Sequence, residues 1–127
     1  MVSKPKRDPS LRQKAIDKSD SFCTVCGWTS KDREKNVLLE VAHVMPFDEF
    51  PEYDRLDNLI VLCPNHHTEF DRGLLTIDCD GTIHHAEKTN ELNGKRIVGS
   101  VDHIKPGFLD WHNKKKYVGK ILKLHKS

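Results

Sequence analysis

A chain of 127 residues, 36% hydrophobic and 31% charged, is sized for one domain, and so lean a core points to a staple such as bound metal. No stretch approaches the roughly 18 consecutive apolar residues of a membrane span, and the basic, polar first ten residues lack the apolar run of a secretory signal. The expected compartment is therefore the cytoplasm, where four cysteines read as metal ligands and not as disulfides. The net charge of +2 conceals a pattern. Residues 1–18 carry six Lys/Arg against two Asp, and residues 111–127 carry six lysines and no carboxylate, while the middle is acidic. Basic ends around an acidic centre suit a protein that grips phosphate backbone at its flanks and holds metal at its centre, although solvated tails account for the charge equally well.

One domain is expected over 1–127, with residues 1–9 and about 118–127 as basic ends. After Pro5 and Pro9, Ser10 can cap a short helix from Leu11 to about Lys18. Cys23-Thr-Val-Cys26-Gly27 reads as a metal knuckle, with Gly27 supplying the tight turn. Val37 to Val44 is an apolar, β-branched run and the first predicted strand; Leu59 to Leu62 is the second. The acidic stretch between them, bounded by Pro46 and Pro51, reads as a long loop. Pro64 suits the first turn of a helix running through His66, His67 and Phe70 to Gly73. Leu74–Ile77 and Thr82–His84 form a predicted hairpin around Asp80-Gly81. Residues 86–106 give no clear pattern, and a last helix is expected from Phe108 to Tyr117.

Cys23-x-x-Cys26 and Cys63-x-x-His66 are two pairs with the same two-residue gap. Such a gap lets both side chains of a pair converge on one ion, and two pairs complete a tetrahedron, the arrangement of a closed structural zinc site. Cys79 is the competing fourth ligand, but it stands alone between two acids, and spacing favours His66.

Glu40-Val-Ala-His43, then Asp57-Asn58-Leu-Ile-Val-Leu-Cys63-Pro-Asn-His66-His67, then Phe70-Asp71-Arg72-Gly73 resembles the HNH endonuclease family, and more narrowly its restriction-type domains with a structural zinc site. The resemblance runs from about Leu11 to Gly81. It implies an α+β chain with the ββα-metal (His-Me finger) fold, flanking helices and a β-hairpin. It also implies a metal-dependent DNA endonuclease leaving 5′-phosphate and 3′-hydroxyl ends. The implied roles are His43 as general base, Asn58 holding the loop and orienting the His43 imidazole, and His67 with Asp71, one helical turn on, sharing a catalytic Mg²⁺ or another divalent ion such as Mn²⁺ or Ni²⁺. Many members place Asp or His directly before the catalytic histidine as a metal ligand. Here that residue is Ala42, so the ion would rest on His67, Asp71, phosphate oxygens and water, with Glu40 as an outer ligand on the same strand face. Arg72, Lys114, Lys115 and Lys116 are the expected DNA contacts. The expected partners are DNA and either a larger assembly or a second copy, with no membrane. The rival readings are a zinc-stapled DNA-binding module that no longer cuts, and the nuclease subunit of a defence or phage assembly. His84, His85, His103, His112 and His125 fall outside this frame.

Overall fold

The structure, a computed structural model, describes residues 8–119. Most of the two basic ends lies outside the described residues. The architecture is α+β, in chain order α1 (Pro9–Lys18), β1 (Glu40–His43), β2 (Leu59–Leu62), α2 (Pro64–Asp71), β3 (Leu75–Ile77), β4 (Ile83–His85) and α3 (Pro106–Trp111). Short 3-10 turns at Pro51–Tyr53 and Leu56–Asn58 punctuate the loop between β1 and β2, and a π turn at His112–Lys116 prolongs α3. Among the described residues no helix is long and apolar enough to cross a membrane.

β1 and β2 pair antiparallel with Glu40 opposite Leu62 and His43 opposite Leu59. Every residue of β2 is buried, whereas on β1 only Ala42 is. The apolar strand therefore runs through the core while its partner keeps a face for polar groups. The predicted strand from Val37 is shorter in the structure. Leu38 N–H bonds back to Ser30 and Val37 makes only an isolated bridge with Lys31, so the ladder starts at Glu40. α2 begins on Pro64 as expected and lays Phe70, fully buried, into the core. β3 and β4 form the expected hairpin, with the first strand one residue shorter, Leu75–Ile77, and the second one residue later, Ile83–His85.

Two expectations are corrected in detail. The first helix is capped by Asp8, whose side chain accepts from the Ser10 backbone N–H at 2.9 Å, because Pro9 takes the first helical position, where its missing N–H costs nothing. The last helix is not regular: it closes at Trp111 and widens into the π turn. Residues 94–99, which carried no pattern, stitch the molecule together through their backbone. Ile83 N–H bonds to Lys95, Ile97 N–H to Gly81, Val98 N–H to Val25 and Gly99 N–H to Thr24.

His112, 1% exposed, ties α2 to the π turn. Its Nε2–H donates to the Phe70 carbonyl at 3.0 Å, and its ring stacks on Phe70 with centroids 3.8 Å apart. That leaves Nδ1 to accept from the Thr76 hydroxyl at 2.7 Å, while Thr76 in turn accepts from Asn113. Both ring nitrogens are satisfied in a neutral imidazole, and burial lowers its pKa to about 4, against the pull of the Phe70 carbonyl. Because the unfolded chain binds this proton first, the stability His112 supplies is complete above pH 6.5 and lost as the pH falls toward 4. The stability difference between wild type and His112→Phe should thus shrink by about 3 kcal/mol across that window in paired denaturant melts. A difference constant with pH would refute this account of His112.

Candidate active site

The two knuckles meet as their spacing requires. Gly27 sits at φ +77°, and its N–H returns to the Cys23 carbonyl at 2.8 Å, closing the turn that carries Cys23 and Cys26. Cys63 precedes α2, and His66 lies on the first turn of that helix. One ligand atom from each of Cys23, Cys26, Cys63 and His66 lies within 4.8 Å of all the others. His66 Nδ1 is 3.8 Å from Cys23 Sγ and 3.3 Å from Cys63 Sγ. Tetrahedral zinc with ordinary Zn–S and Zn–N bonds sets its S···N edges at about 3.5 Å, so the donor set and its spacing fit zinc.

The ionisation of the three thiols points the same way. Burial works to raise Cys23, but hydrogen bonds from His66 and the surrounding backbone outweigh it and bring the thiol down to about 6. Burial pushes Cys63 up to about 12 and also raises Cys26, with negative charge on Cys23 adding to both. Three thiolates so close together repel one another, and a dication at their centre removes the conflict. Cys79 is exposed and lies beside Asp110 and Pro106, outside this group.

The second group of expected residues converges on a cleft of about 250 Å³ beside the ββα unit, lined by Ala42, His43, Phe47, His67, Asp71 and Lys116 among others. His43 ends β1, and its ring packs against Phe47 at 5.4 Å. His67 stands between two carboxylates: Nδ1 is 2.6 Å from Glu40 and Nε2 is 2.9 Å from Asp71. The hydrogen bond to Asp71, with that to Glu40 next in effect, raises the His67 pKa to about 9 against desolvation. The His67–Asp71 separation matches two adjacent vertices of an octahedral site with metal–ligand bonds near 2.1 Å, which are about 3 Å apart. Glu40 sits on the far nitrogen of the same ring, the place of a carboxylate that orients a metal-binding imidazole.

Asn58 is fully buried and makes no hydrogen bond to His43 among the described residues. Its amide nitrogen donates to the carbonyls of Met45 and Tyr53, its side-chain oxygen accepts from Met45 N–H, and its backbone carbonyl accepts from Val44 N–H. These bonds tie the loop together, and Asn58 reaches the imidazole only through its neighbours. The side chain hydrogen-bonded to His43 is Asp54, with Oδ1 2.8 Å from Nε2, and sequence reasoning passed over it. Its only signal was one acid among many in an acidic loop.

Of the expected DNA contacts, Arg72, Lys114 and Lys115 are exposed, while Lys116 is half-buried in the cleft wall. Gly73 makes that placement possible. It lies at φ +76°, and a Cβ there would fall 2.2 Å from the Lys116 carbonyl oxygen, so only glycine lets the lysine segment approach the end of α2.

Residues 23–78 match the HNH endonuclease family, a span that takes in both knuckles, both strands and α2. This central segment belongs to the HNH endonuclease family. The type IV methyl-directed restriction enzyme EcoKMcrA of Escherichia coli strain K12 is 35% identical over 65 residues, which is 50% of this chain and 23% of that protein. Among solved structures, the modification-dependent TagI restriction endonuclease superposes with a TM-score of 0.67 at 26% identity, covering 88% of this chain and 39% of the other. The chain therefore spans well under half the length of either relative.

Proposed function

We propose that this HNH chain is a metal-dependent endonuclease that hydrolyses DNA phosphodiester bonds. The observation that carries the reading is the convergence of His43, His67 and Asp71 on one cleft. Hydrolysis requires a water to lose a proton as its oxygen forms a bond to phosphorus, while the bond to the 3′ oxygen breaks. His43, which lines the cleft, takes that proton on its imidazole. His67 and Asp71 hold a divalent ion such as Mg²⁺, Mn²⁺ or Ni²⁺, which when bound supplies positive charge for the phosphate and the departing oxygen. Glu40 keeps the His67 ring turned toward that site. Lys116, in the same cleft wall, sets an ammonium against the scissile phosphate, while Arg72, Lys114 and Lys115 hold backbone on either side. Products then carry 5′-phosphate and 3′-hydroxyl ends. Cys23, Cys26, Cys63 and His66 hold zinc and keep the first knuckle against the start of α2.

Supercoiled plasmid incubated with the zinc-loaded protein should be nicked or linearised when Mg²⁺, Mn²⁺ or Ni²⁺ is added, and should stay intact without it. Ligase should reseal the nicks, as the proposed ends require. Lys116→Ala should slow cutting more than Lys114→Ala. Absence of cutting with every metal, on both modified and unmodified DNA, would overturn the reading. Modified DNA belongs in the assay because both relatives are named for acting on it.

One observation favours a second reading. Ala42, in the cleft wall, puts a methyl group where many members have a metal ligand. A zinc-stapled DNA-binding module that has lost cutting would bind the same plasmid in a gel shift and leave it whole. The limited span of the relatives also leaves room for a larger assembly or a homodimer, and cutting both strands at one place would call for two such clefts.

A further inference from the structure

His43 borders two adjoining hollows. It lines the cleft that holds His67 and Asp71, and with His67 it also lines a second one bounded by Asp8, Leu11, Arg12 and Asp54. Asp54 lines only the second. Its Oδ1 lies 2.8 Å from His43 Nε2, and its Oδ2 accepts the Asp8 backbone N–H at 2.7 Å. Both oxygens are thus fixed, one by the imidazole and one by the residue that caps α1. The two side chains are only 10% and 13% exposed. The backbone beside Asp54 is pinned as well, because the Tyr53 carbonyl accepts from buried Asn58. Among the described residues no hydrogen bond is made by His43 Nδ1.

We infer that Asp54 is the positioning residue for His43, holding the proton on Nε2 so that Nδ1 is the nitrogen free to take a proton in the cleft. A carboxylate oxygen can only accept, so the hydrogen between the two groups belongs to Nε2, and a neutral imidazole then has its lone pair on Nδ1. Asp54 does not touch substrate or metal; it selects the tautomer and fixes the ring plane. When His43 becomes imidazolium on taking the water proton, the same carboxylate stabilises the new charge. Asn58 acts on the imidazole through this contact, by holding the loop from which Asp54 reaches back.

The catalytic consequence rests on the nuclease reading, but the tautomer does not, so the test has two arms. In the zinc-loaded protein, without DNA or added divalent ion, ¹⁵N imidazole shifts assigned by their loss in His43→Ala should report the Nε2–H form once the ring is neutral. Asp54→Asn, whose amide can donate to Nε2, should shift the ring toward Nδ1–H, and Asp54→Glu should hold the wild-type form. A wild-type ring already in the Nδ1–H form would overturn the inference, and so would a tautomer unchanged in Asp54→Asn; the wild-type measurement decides even if that variant does not fold. In the cleavage arm Asp54→Asn should lower kcat by about 10²- to 10⁴-fold, the range of general-base catalysis, with KM little changed. Asp54→Glu should recover part of the loss, and Glu52→Gln, an exposed acid in the same loop, should match wild type. Equal kcat in wild type and Asp54→Asn would sink the role. A wild type that cuts nothing but shows the expected tautomers would sink only the nuclease reading.

Discussion

Stripping zinc from this protein should unfold it. Structural zinc bound by thiolates and imidazole contributes on the order of 10 kcal/mol of apparent free energy, as much as the whole stability of a typical small domain. Here the ion would join the first knuckle to the start of α2. The first knuckle is fastened to β2 by the Thr24 N–H to Val61 carbonyl bond and to residues 98–99 by two more, while Cys63 and His66 start α2. Losing the metal leaves three crowded thiols beside a half-buried imidazole, two of them already pushed up by burial. The expected result is one zinc per chain by atomic absorption and loss of the cooperative melt on chelation. Cys63→Ser should reproduce that loss, whereas Cys79→Ser, at an exposed turn, should change stability by no more than about 0.5 kcal/mol. A sharp melt that survives full removal of zinc would contradict the proposed role of the site.

The parts of the fold that could be read from the sequence are those set by local spacing. Two pairs with two-residue gaps located the knuckles, Leu59–Leu62 stood out as an apolar run, and Pro64 marked the start of α2. The features that escaped are held by partners distant in sequence. Residues 94–99 pair by backbone hydrogen bonds with β4 on one side and the knuckle on the other, so their side chains show no alternation. Asp54 meets His43 across 11 residues and one 3-10 turn, a path that no periodicity describes. The π turn at His112–Lys116 inserts a wider turn into what reads as an ordinary helix, and it is this turn, against Gly73, that brings Lys116 into the cleft and leaves Lys114 and Lys115 outside. Asn58 is an intermediate case. Its importance was readable from the motif, but its means of acting, through Met45, Tyr53 and Val44, was not.

His43→Ala and His67→Ala should both abolish most cutting, but for different reasons that the metal dependence will separate. Removing His43 deletes the proposed proton acceptor and leaves Glu40, His67 and Asp71 in place, since none of them bonds to it. Cleavage should fall by about 10²- to 10⁴-fold at every metal concentration, with zinc content unchanged. Removing His67 leaves Glu40 and Asp71 without the imidazole between them, and the divalent ion loses one of its two protein ligands on a site where Ala42 supplies none. The loss should then be largest at low metal and should recede as Mg²⁺ or Mn²⁺ is raised, because mass action compensates for a missing ligand but not for a missing base. If His43→Ala were rescued by metal and His67→Ala were not, the two histidines would have exchanged roles. The ion would then have to sit on the His43 side of the cleft, with the carboxylate of Asp54 behind it.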